Sequence, residues 1–160
     1  MNYVSELGVG STAPIFNLST SLLGLLILDA SYLFYLKDKT IIFSFLLLIT
    51  GTGATGVGIF PTNIKPTHGI FQLLALWFGA FSAILSFKKQ RSPVSYISLI
   101  LGAVSFVSSI VFFPYLGLGV NDMTTFLGLG KGIMERIVIY SLILWLFGYG
   151  YQVAGKTPEN

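Results

Sequence analysis

The sequence predicts an all-α integral membrane bundle of five transmembrane helices, with the N-terminus outside and the C-terminus inside. Three observations carry this. Of 160 residues, 54% are hydrophobic and only 9% charged, against roughly 25% charged in an average soluble domain. Five apolar runs, each close to the roughly 20 residues that cross a bilayer, are separated by short polar breaks that leave no room for a soluble domain. The basic residues flank these runs unevenly: Lys37, Lys39, Lys88, Lys89, Arg91 and Lys156 fall on one side, Lys65, Lys131 and Arg136 on the other. Positive residues in short loops stay cytoplasmic, so the six mark the inner face.

The same asymmetry accounts for the net charge of +3 without nucleic acid as a partner. There is no cysteine, which excludes disulfides, thiolate metal sites and cysteine nucleophiles. No Lys or Arg precedes Lys37 and the first apolar run is too long for a signal h-region, so the first helix is expected to remain in the protein.

Taken in order, residues 1–12 form a polar arm whose one charge is Glu6. The first helix is expected over about 14–36, opened by Pro14 and closed by Lys37, Asp38 and Lys39. The second spans about 40–60 and is stopped by Pro61; the third spans about 68–87 and ends at Lys88, Lys89 and Arg91. Ser92 and Pro93 read as an N-cap and first helical position for a fourth helix over about 92–113. A Gly-rich connection leads to a fifth helix over about 133–151, where Trp145, Tyr149 and Tyr151 gather toward the inner boundary as an aromatic belt does. The whole chain, 1–160, reads as one transmembrane domain.

The stretch from Gly51 to His68 organises these elements, because glycines at helical spacing let backbones approach closely inside a bilayer. Gly51, Gly53 and Gly56 also satisfy G-x-G-x-x-G, but that pattern binds dinucleotides only between a strand and a helix, so here it reads as packing. Asn17-Leu18-Ser19 matches a glycosylation sequon inside the first turns of a membrane helix and reads as a buried amide.

The topology sends Glu6, Asn17, Asn63, Lys65, His68, Asp122, Glu135 and Arg136 to the outer ends of helices or the outer loops. Ionisable groups beside membrane segments are costly unless paired or wetted, so this set is a candidate polar pocket, with Glu6, Asn17, His68, Glu135 and Arg136 as its centre. The same residues serve equally as structural ion pairs that staple the loops. Glu135 and Arg136, being adjacent, point about 100° apart on a helix and need different partners. Glu6 on the arm is the expected partner of Arg136, making the arm a lid. His68 opens its helix as a loop-bonding residue, or as a general base beside a carboxylate. One His and no Cys argue against a metal, and no cofactor is expected. Asp29 is the intramembrane acid; bonding to Ser31, Tyr32 or a serine on a facing helix is expected, with a proton-relay role as the alternative.

Ser5-Glu6-Leu7-Gly8, Phe16-Asn17 with Gly24, Gly56-Val57-Gly58-Ile59-Phe60-Pro61 followed by His68, and Glu135-Arg136 with Trp145 together resemble the integral membrane proteins of domain-of-unknown-function family 998. The resemblance covers nearly the whole chain with its motifs in the same order. It implies a small archaeal or bacterial helical bundle without an established activity. Members often span the membrane six times or more, so five helices would be a departure. A remoter similarity in layout to DRAM-type eukaryotic membrane proteins hints at lipids.

The functional expectation is a non-enzymatic component or stabiliser of a membrane assembly, with a polar cluster at its outer mouth. The alternative is a protein that binds or modifies lipid headgroups at the outer leaflet, Arg136 and Lys65 holding a phosphate. A transporter would need a midplane path, for which Asp29 alone offers an ionisable group. Expected partners are membrane lipids and other membrane subunits or further copies of the chain, in the cell membrane.

Overall fold

The computed structural model describes residues 3–113, 125, 126 and 128–155. A short 3-10 turn over Ser5–Gly8 is followed by α1 (Ala13–Asp38), α2 (Ile41–Ile59), α3 (Thr67–Ser86), α4 (Val94–Phe112) and α5 (Lys131–Ala154). All five helices are long and apolar enough to cross a membrane, as a multi-pass membrane protein requires. At 1.5 Å per residue, the 19 residues of α2 rise about 28 Å and the 26 of α1 about 39 Å. Successive helices run in opposite directions, so the bundle has an arm end, where the N-terminal segment sits, and a tail end, where α5 finishes.

Each helix packs on the next in sequence, and α3 also touches α5. The central position of α2 follows from its glycines. A Cβ on Gly51 would meet the Gly24 carbonyl of α1 at 2.9 Å, and one on Gly53 would meet the Phe71 carbonyl of α3 at 2.8 Å. Glycine therefore brings backbone against backbone on both flanks of one helix. Gly102 does the same for α4 against Ala80 and Ile84 of α3.

Serines join the helices where glycine does not. Ser95, Ser98, Ser105 and Ser109 are buried on one face of α4. Ser105 Oγ donates to the Val138 carbonyl of α5 at 3.1 Å, and Ser31 Oγ of α1 to the Ser44 carbonyl of α2 at 2.7 Å. A hydroxyl inside a bilayer has no water to bond, so Ser31 and Ser105 take a carbonyl on the neighbouring helix.

The apolar core runs from Leu76 and Val138 to an aromatic group at the tail end. There Phe34, Phe43, Trp145 and Tyr149 touch one another, Phe34 stacking on Tyr149 at 5.7 Å between centroids. Trp145 is 1% exposed, and its indole N–H donates to Ser86 Oγ at 2.9 Å. Trp145 and Tyr149 are thus core residues, and burial with a satisfied donor explains their position better than the interfacial belt expected for them.

The connection into α5 also differs from expectation. Thr125–Phe126 and Leu129–Gly130 pair as a two-residue antiparallel ladder, β1 and β2, turned by Gly128 at φ 77°. Gly130, in extended conformation, then caps a helix that begins at Lys131. Lys131 is buried rather than in a loop, because its ammonium lies over the Tyr3 ring at 5.0 Å.

Candidate functional site

The most enclosed polar group near the arm end is Glu135, one turn into α5 and 0% exposed. Its carboxylate accepts from the Ser5 side chain and from three further donors. The Val4 and Ser5 backbone N–H groups both reach Oε2, the latter at 3.4 Å, and Gln72 Nε2 donates to Oε1 at 2.9 Å. A carboxylate so deep in an apolar bundle persists only when its lone pairs are taken up. The 3-10 turn supplies this locally: it leaves the N–H groups at its start unbonded within the turn, and they point at α5.

The arm is held at further points besides its Lys131–Tyr3 contact. Its Gly8 carbonyl accepts from Asn17 Nδ2 of α1 at 3.2 Å, and the Tyr3 ring meets Phe112 of α4 edge-on at 6.0 Å. Ser5 and Gly8 are both buried. The arm therefore crosses from α1 over to α4 and α5, closing this end of the bundle.

Below the arm, a cleft of about 210 Å³ opens between α1 and α5 and is floored by α2 and α3. Thr20, Leu23 and Ile27 form one wall, Ile139, Ile143 and Trp145 the other, with Ala54 and Gly79 beneath. Val4, Ser5, Gln72 and Glu135 form its polar end. From Glu135 to Leu146, both lining residues, α5 rises about 16 Å. The cleft exceeds the roughly 150 Å³ apolar void that admits a benzene-sized molecule and stays dry.

The other sequence-predicted residues share the arm end but are not joined to Glu135. His68, 5% exposed, donates from Nδ1 to the Phe60 carbonyl at 2.7 Å, which pins the turn between α2 and α3. The carbonyl can only accept, so Nδ1 carries a proton, while Nε2 is buried without a hydrogen-bond partner. Asn17 Oδ1 is likewise buried and unpartnered. Arg136 is half-buried and turns back along α5 to donate to the Gly132 carbonyl at 2.8 Å. Glu6 is half-buried and forms no ion pair with Arg136. The expected arm-to-α5 link is thus made by the arm's backbone to Glu135, because two amides converge where only one side-chain charge was sought. Asn63 and Lys65 are exposed in the α2–α3 loop, and Asp122 lies outside the described residues.

Asp29 is exposed on α1. Ser31, one of its expected partners, bonds across to α2 instead. Two residues apart on a helix means about 200° of rotation, which puts the two side chains on opposite faces. Among the described residues, no group of three or more His, Cys, Asp and Glu could hold a metal ion.

A family described as "Protein of unknown function (DUF998)" matches residues 1–151. The chain belongs to this family. No curated protein and no solved structure matches it. The DUF998 match takes in the arm, the cleft and all of α5 through Tyr151, so the Glu135 closure lies wholly within the family region.

Two participants of this DUF998 site escape a reading of the sequence by charge alone: Gln72 and the Val4–Ser5 backbone. Gln72 did leave a signal. It stands four residues after His68 in an otherwise apolar run, so both polar side chains share one helix face, and both are buried.

Proposed function

We propose that the protein is a non-enzymatic membrane component whose cleft between α1 and α5 holds an acyl chain, with the arm as its cover. The observation that carries this reading is the cleft itself: a laterally open, apolar channel that ends at a carboxylate already bonded by the arm. Such a shape suits a long apolar chain with a small polar end, and it lies where bilayer lipids are the surrounding solvent. Against catalysis, the two groups that could move a proton are not joined to each other. Glu135 is held by the Val4 and Ser5 backbone, the Ser5 side chain and Gln72, and His68 bonds through Nδ1 to the Phe60 carbonyl. Headgroup capture by Lys65 and Arg136 is less well supported, since Lys65 is exposed in the loop and Arg136 turns onto Gly132.

The test uses Trp145, which lines the cleft, as its own reporter. With the second tryptophan changed by Trp77→Phe, bilayers carrying brominated acyl chains should quench Trp145 strongly, although it is 1% exposed. Ala54→Leu, which adds bulk to the cleft floor, should remove most of that quenching. Equal quenching in both, or none in either, would reject the cleft as an acyl-chain site.

We place the arm end outside and the tail end in the cytoplasm of the cell membrane, as the six-to-three division of cations favours. In intact cells, a single cysteine at Asn63 should react with an impermeant thiol reagent and one at Gln90 should not. The reverse pattern would invert the assignment.

A further inference from the structure

The helix least covered by its neighbours is α1. One face carries the cleft wall and the glycine contact with α2; the opposite face carries Ile15, Leu18, Leu22, Leu25, Asp29, Tyr32 and Leu36. Their spacing is three and four in strict alternation, the seam of a left-handed helix pair. Every one is exposed, the six apolar and aromatic members by 49% to 76%. Against lipid, an apolar face needs no cover, but Asp29 does. It stands about 24 Å along α1 from Ala13 and about 14 Å from Asp38, inside a hydrocarbon layer of about 30 Å. Its short side chain cannot reach either boundary, and no described residue bonds it.

We propose that α1 is a self-association surface, and that two copies of this chain pair along this seam with their Asp29 carboxyls in contact. Copies of one membrane protein insert with the same orientation, so a two-fold axis along the membrane normal sets each seam residue opposite itself. Leucine then meets leucine above, Tyr32 and Leu36 meet their equals below, and Asp29 meets Asp29. Two carboxyls there satisfy each other by sharing a proton, one hydroxyl donating to the facing carboxylate. A single polar residue at a seam position also fixes the register of such a pair. The seam carries no cation of its own, so a foreign helix would have to bring a donor at the same depth, whereas a second copy brings one by symmetry. The inference is independent of what the cleft holds.

The absence of cysteine makes the test direct. Single cysteines at Leu22 and Leu25 on the seam, and at Leu23 and Ala30 off it, are oxidised in isolated membranes. Disulfides form only when Cα atoms come within about 7 Å. The two seam positions should give a dimer of this chain at least fivefold more abundant than the two controls. Asp29→Leu in the Leu22→Cys background should abolish the dimer although it makes the face more apolar, and Asp29→Asn should keep it because an amide both donates and accepts. Equal crosslinking at all four positions, no dimer at the seam, an adduct with a different protein, or a dimer untouched by Asp29→Leu would each overturn the proposal. Trp145 quenching by brominated lipid should be the same in Asp29→Leu as in the parent, which separates this result from the cleft.

Discussion

Replacing Glu135 with leucine is expected to destabilise the protein by about 2–4 kcal/mol and to release the arm. Gln72 is left as a buried amide without an acceptor, a loss of about 1–3 kcal/mol on its own. The Val4 and Ser5 N–H groups lose their shared acceptor as well, and the arm can satisfy them only by swinging into water. Glu135→Gln should behave differently. Its carbonyl oxygen can still face the arm while its NH2 donates to the oxygen of a flipped Gln72, so the arm keeps its acceptor and the cost should stay near about 1 kcal/mol. Unfolding in mixed detergent measures the stability, and amide exchange at Val4 and Ser5 reports the arm. If Glu135→Leu exchanges there as slowly as the parent, the carboxylate does not hold the arm.

The second large effect lies where α2 meets α1 and α3. In an isolated helix, Gly→Ala stabilises by about 0.5–1 kcal/mol, and Gly69 and Gly150, around which an added Cβ meets nothing within 4 Å, should show that sign. Gly24 and Gly53 should show the opposite. A Cβ at Gly53 would lie 2.8 Å from both the Ala75 Cα and the Phe71 carbonyl, and one at Gly24 would lie 2.8 Å from the Gly51 carbonyl. These are backbone atoms that move only if whole helices move. Gly53→Ala and Gly24→Ala should therefore destabilise by about 1–3 kcal/mol, the scale of overpacking a tight interior. Four alanine variants, compared by the same unfolding titration, decide it; a uniform sign across all four would refute the close-approach account.

The five helices and the glycine contacts were legible in the sequence because both obey strong local rules: an apolar run must reach about 20 residues to cross, and small residues at helical spacing have few uses in a membrane other than close approach. The site was legible only in part. Glu135 stood out as a charge in the first turns of an apolar run, but its partners are backbone amides and the uncharged side chains of Ser5 and Gln72, none of which a charge-matching argument detects. Arg136 was assigned to Glu6 on the rule that charges pair, whereas its long side chain reaches a carbonyl one turn back on its own helix, as side chains that tilt toward the N-terminus readily do. Trp145 and Tyr149 were misplaced for a similar reason. An aromatic near a helix end is apolar and polar at once, and whether it faces the boundary or the interior depends on Ser86 and Phe34, which no local pattern ties to them.

The arm and its acceptor are 131 residues apart in the chain, and this separation orders events during synthesis. At about 5–20 residues per second, Val4 and Ser5 are joined to the chain roughly 7 to 26 s before Glu135 is. Throughout that interval the first four helices are being delivered to the bilayer while the arm still lacks that acceptor. The Glu135 contact therefore waits for α5: a nascent chain stalled before it lacks the carboxylate that accepts from Val4 and Ser5, although Asn17 and Phe112 are already present to hold the arm.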